Sequence, residues 1–111
     1  MIVRIYDQTG DFAEDKDVAA SIREETIRPT IVGKNEVVLD FDGVTLATQS
    51  FVHALISDVL RSVGEDSLNY LDFWHCASGV RGIIETVVQY SREALEDVSS
   101  PNDSGTDSVA F

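Results

Sequence analysis

The segment Glu36-Val37-Val38-Leu39-Asp40-Phe41 constrains the fold more than any other part of this chain. Its β-branched and bulky residues form a near-continuous apolar run instead of alternating strictly with polar ones. Such a run indicates a strand buried on both faces, the pattern of a parallel sheet covered by helices. A parallel neighbour is reached only through a crossover of about a dozen or more residues, so helices have to flank the run.

Helical periodicity is present on both sides of it. From Asp15 or Asp17 onward, Val18, Ala19, Ile22, Thr26 and Ile27 share one helical face, with Arg23, Glu24 and Glu25 opposite. Asp17 is placed to accept hydrogen bonds from the first-turn amides, and Pro29 to stop the helix. Beyond the turn at Asp42-Gly43, a second helix opens at Thr48 or Gln49 and carries Val52, Leu55, Ile56, Val59, Leu60 and Val63 on one face, with Gly64 ending it. Ser78 can cap a third helix, whose stripe is Val80, Ile83, Ile84, Val87, Val88, Ser91, Ala94 and Leu95.

Residues 2–6 and 69–74 supply two further strands, the second with Leu71 and Phe73 on one face and Tyr70, Asp72 and Trp74 on the other. The order is β-α-β-α-β-α. This defines an α/β class protein, a small domain with a mostly parallel sheet flanked by helices. If the helices cover one face, the other is left for a partner or for a second copy of the chain in a homodimer.

With 111 residues, the chain has room for one domain, assigned to residues 1–98. From Ser99 no apolar period continues, so residues 99–111 read as a disordered polar and acidic tail. Twenty acidic residues against eight Lys or Arg give a net charge of -12, which repels phosphate backbones and anionic headgroups. Nucleic acid and membrane surfaces are therefore excluded as main partners, and a basic docking protein is favoured. The single cysteine, Cys76, excludes an internal disulfide framework and a multi-thiolate zinc site. No apolar run approaches the roughly 18 residues of a membrane span, and the N-terminus lacks signal-peptide features. The expected compartment is the cytoplasm.

Catalytic patterns are sparse. Asp7, Asp11, Glu14, Asp15 and Asp17 crowd one connection, as a divalent-cation or aspartyl-phosphate pocket would require, but a receiver needs about five β-α units and a strand-end Lys. The cluster is read as a solvated turn. His75 and Cys76 are adjacent and point apart, His53 lies within a helix, and Ser78-Gly79-Val80-Arg81-Gly82 matches no phosphate-loop fingerprint. No metal site and no cofactor are expected. The enzymic alternative is an acid/base pair of His75 with Asp42, because Asp40, Asp42, Trp74 and His75 all fall at the carboxyl ends of parallel strands.

One stretch carries more information. Leu39-Asp40-Phe41, then Gly43-Val44, then Ser50-Phe51 is a spacing that resembles the STAS-like family, small bacterial and phage domains of mostly unassigned function. The resemblance implies a STAS-like fold and a relationship to STAS domains proper, which include the anti-sigma-factor antagonists. Those are switched when a kinase phosphorylates a serine at the start of the helix after the central strand, and that serine falls on Ser50 here. Thr48 stands where the antagonists usually carry Asp, and Phe51, in keeping with the STAS-like group, where they carry Gly. The resemblance thus implies a non-catalytic regulatory module docking on a histidine-kinase-like ATPase or an anti-sigma-type regulator. Its contact residues would be Asp42, Gly43, Thr48, Gln49, Ser50 and His53, with Ser50 as the phosphosite.

Overall fold

The computed structural model describes residues 1–99; the side chains of Glu65 and of residues 94–99 are not among the described groups. Three strands, β1 (Ile2–Arg4), β3 (Val37–Asp40) and β5 (Leu71–Trp74), form one parallel sheet in the order β1-β3-β5. A second, two-stranded parallel sheet pairs β2 (Phe12–Ala13) with β4 (Leu46–Ala47). Helix α1 is the single short stretch Ile5–Thr9, α2 runs over residues 16–32, α3 over residues 49–63, and α4 is Ser78–Ser99. A 3₁₀ segment, Glu65–Tyr70, leads into β5.

The strand order explains the layering. Steps from β1 to β3 and from β3 to β5 move in the same direction across the sheet, and right-handed crossovers then place the intervening helices on one face. On that face Val37, Leu39 and Phe41 are fully buried with the apolar stripes of α2, α3 and α4. The opposite face carries Ile2, Val38 and Asp72 in one row and Arg4, Asp40 and Trp74 in the next, and stays open: Ile2 is 54% and Trp74 40% exposed. The expectation of burial on both faces is therefore corrected. Val38 is apolar yet only half-buried, because nothing in a singly wound sheet covers it.

Several local expectations also change. Helix α2 continues through Pro29 to Val32, because a π-helical turn at Arg23–Ile27 resets the hydrogen-bond register just before the proline. Asp15, not Asp17, caps it, with Oδ1 accepting from the amides of Asp17 at 2.9 Å and Val18 at 3.4 Å. Its end is closed by Lys34 in the left-handed conformation (φ 63°), with Asn35 N–H donating to the Thr30 carbonyl at 3.0 Å. Helix α3 has a matching π turn at His53–Ser57, and Arg23 of α2 donates to the Ala54 carbonyl there at 2.7 Å. Gly64 ends α3 at φ 102°, ψ 180°, as its position indicated. Ser78 is already inside α4 rather than capping it, since the Ala77 carbonyl accepts from Arg81 N–H. Asn69 and Tyr70 belong to the 3₁₀ segment instead of the strand, and of the tail assigned to 99–111 all but Ser99 lies outside the described residues.

One-sided burial yields a direct test by equilibrium unfolding. Leu39→Ala should cost about 2–5 kcal/mol, whereas Val38→Ala, one residue along on the open face, should cost well under half of that. Equal losses at the two positions would contradict the layering.

Candidate functional site

The small β2–β4 sheet locates the start of α3. Thr48 N–H donates to the Ala13 carbonyl at 2.9 Å, and both Thr45 N–H and its hydroxyl donate to the Asp11 carbonyl at 2.8 and 3.2 Å. These bonds pin the segment before α3 onto the segment before α2, so the two helices begin side by side. Thr48 takes an extended backbone conformation and its Oγ1 accepts from Phe51 N–H at 3.1 Å, which makes it the N-cap. Phe51 is fully buried as a core anchor.

With Thr48 capping, Ser50 is left without a structural task. It sits exposed in the first turn and its hydroxyl makes no hydrogen bond among the described residues. The cap of this helix is therefore Thr48 and not Ser50. Gln49, Ser50, His53 and Ala54 line a shallow depression of about 480 Å³ together with Lys16 from the first turn of α2. Of the six contact residues expected from sequence, Gln49, Ser50 and His53 share this depression and Thr48 flanks it; Asp42 and Gly43 are not among its walls.

Asp42 and Gly43 belong to the turn that ends β3. Gly43 has φ 89°, and a Cβ there would stand 2.8 Å from Cδ2 of Tyr6, so glycine is required both for the conformation and for the close approach. Asp42 N–H donates to Asp40 Oδ1 at 3.0 Å. The same oxygen receives Nδ1–H of His75 at 2.9 Å, since a carboxylate can only accept. His75 itself holds a left-handed backbone (φ 57°) that turns the chain off β5, and its ring stands edge-on to Trp74 with centroids 6.1 Å apart. The pairing expected for His75 is corrected: its partner is Asp40 at the strand end, while Asp42 adds only a longer-range attraction. The Asp72 carboxylate accepts from Phe73 N–H and from the Trp74 indole, occupying an outward donor on the sheet edge.

The His75–Asp40 bond raises the imidazole above its ordinary value, chiefly through the hydrogen bond and then through the charge of Asp40. Asp40 is held low by the same bond and by the Asp42 amide. The crowd of carboxylates between β1 and α2 disperses: Asp7 lies 3.7 Å from Arg4, Asp15 caps α2, and no group of three or more His, Cys, Asp or Glu among the described residues could hold a metal ion.

A family model described as a STAS-like domain of unknown function (DUF4325) matches residues 18–73, just over half of the chain. The chain belongs to this STAS-like family. The match runs from α2 through β5 and so contains the strand, turn and helix start that carried the resemblance. No curated protein and no solved structure matches the chain. Among the described residues of the STAS-like domain, no helix is long and apolar enough to cross a membrane. Sequence reasoning missed Lys16 as a neighbour of Ser50, because only the β2–β4 bridge, two residues on each side, brings the helix starts together.

The dyad predicts a pH dependence. His75 gains its partner on folding, so its contribution is complete below the ordinary imidazole value of 6.5 and is lost as pH rises through the folded-state value. Asp40 contributes above the ordinary carboxyl value of 3.8 and loses that contribution as pH falls through its lowered value. In an NMR titration His75 should therefore show a midpoint above 6.5, and Asp40→Asn should bring it back toward that value. A midpoint that Asp40→Asn leaves unchanged would show that the bond does not persist in solution.

Proposed function

We propose that this STAS-like domain is a non-catalytic cytoplasmic regulatory module that docks on a partner protein through the surface around the start of α3, and that phosphorylation of Ser50 switches the docking. One observation carries the reading: Thr48 performs the capping, and Ser50 beside it is exposed with an unengaged hydroxyl. A serine engaged as the cap would have to rearrange its hydrogen bond to the first-turn amides on modification, and Ser50 has none to rearrange. Here a phosphoryl group would stand near the positive end of α3 and within the depression that Lys16 and His53 also line. It would add about two negative charges to the docking surface while leaving the fold intact.

The acidic chain, at -12, favours a partner with a basic contact surface, and the family relationship favours a histidine-kinase-like ATPase or an anti-sigma-type regulator. Gln49, Ser50 and His53 form the centre of the contact, with Thr48 beside them and Asp42 and Gly43 as the more distant members of the surface. A binding module is favoured over the acid/base alternative because the His75 side chain is about 60% exposed and its Nδ1 is engaged by Asp40, an open position for a group that would have to work on an enclosed substrate.

Intact mass of the native protein incubated with ATP and candidate kinases from its host tests the switch. The expected result is a single phosphoryl addition that is lost in Ser50→Ala, together with partner binding reduced at least about tenfold by phosphorylation, or about 1.4 kcal/mol. Phosphorylation that persists in Ser50→Ala, or that leaves partner affinity unchanged, would overturn the assignment.

A further inference from the structure

The strongest feature that the docking surface leaves unused is a groove of about 470 Å³ between the edge strand β5 and α4. Its floor is apolar, made by Leu68 of the 3₁₀ segment, Phe73 of β5, Cys76, and Ile84 and Val88 of α4. Val80, Ile84 and Val87 face the core, so Val88 is left at the margin of the helical stripe, half-buried against the core and lining the groove. The volume falls within the roughly 300–1,000 Å³ of small-molecule sites.

The rim supplies a charge. Arg81 and Arg92 stand on it with Glu85 as its acidic member, in a chain whose carboxylates outnumber its bases by 20 to 8. Arg4 meets Asp7, Arg23 meets Glu24, and Arg28 meets Glu24 and Asp58, whereas Lys16, Lys34 and Arg61 make no ion pair among the described residues and stand outside this groove. The Arg81 guanidinium makes no hydrogen bond or ion pair among the described residues, although Glu85 lies one turn further along the same helix. A guanidinium held over an apolar floor is complementary to one carboxylate attached to a hydrocarbon body.

We propose that this groove binds a small monocarboxylate with a hydrophobic chain, its tail lying along Phe73, Ile84 and Val88 and its carboxylate on Arg81. The site is separate from the start of α3 and does not depend on the phosphorylation of Ser50. Cys76, the single cysteine, lies in the floor, and burial pushes its thiol above the ordinary range while Arg81 partly opposes this. It therefore reports occupancy.

The full-length protein is treated with iodoacetamide in decanoate, decanol or decyltrimethylammonium below micelle-forming concentrations, and alkylation of Cys76 is followed by intact mass. Decanoate should slow alkylation at least fivefold at saturation, and decyltrimethylammonium should not. Arg81→Gln should raise the half-protecting decanoate concentration about tenfold, with Arg81→Lys intermediate. Equal protection by all three amphiphiles, or no effect of Arg81→Gln in a variant with native circular dichroism, would overturn the proposal. So would protection that grows with protein concentration when no ligand is present, because a second copy of the chain would then be the occupant.

Discussion

Val37 and Leu39 of the middle strand, and Phe41 just beyond it, are all completely buried, and the crossover helices α2 and α3 pack to cover them. Burial of each such side chain is worth about 1.5–3 kcal/mol, so the helices cannot leave this face without exposing the core. Because β1, β3 and β5 are laid down in spatial order, right-handed crossovers deliver the helices to this side and none to the other. The second face and the carboxyl ends of the strands are left accessible as a consequence. These are the surfaces that the winding leaves open to a partner.

The start of α3 is one of them. Its position is set by short-range hydrogen bonds rather than by the core: Thr48 N–H to Ala13, the Thr45 donors to Asp11, and the Thr48 hydroxyl to Phe51 N–H. Phe51 then locks the first turn into the core, with no exposure at all. Between a cap that is engaged and an anchor that is buried stands Ser50, exposed and with a hydroxyl that makes no hydrogen bond among the described residues. The two π turns at Arg23–Ile27 and His53–Ser57 are joined as well, since the Arg23 guanidinium bridges from one helix to the Ala54 carbonyl of the other.

The parts legible in the sequence are those governed by hydrophobic period. The alternation of strands and helices, the α/β class, the apolar face of α3 and its end at Gly64, and the faces of Leu71 and Phe73 against Asp72 and Trp74 all follow from where apolar residues recur. The parts that were not legible depend on hydrogen-bond register. Nothing in the period distinguishes Asp15 from Asp17 as a cap, Thr48 from Ser50, or Asp40 from Asp42 as the partner of His75. Pro29 reads as a helix stop until the π turn ahead of it is seen, and β2 and β4, two residues each, are too short for any pattern to form. Val38 misled for a different reason: an apolar residue on an uncovered face looks in sequence like a buried one.

The account rests on a division of labour between Thr48, which caps the helix, and Ser50, which we propose as the regulated position. Equilibrium unfolding of Thr48→Ala and Ser50→Ala measures it most directly. Thr48→Ala should lose about 1 kcal/mol, the usual cost of removing a helix cap, and Ser50→Ala should remain within about 0.5 kcal/mol of the parent, as for an uninvolved surface position. A Ser50→Ala variant that loses as much stability as Thr48→Ala would make Ser50 a structural residue and contradict the account.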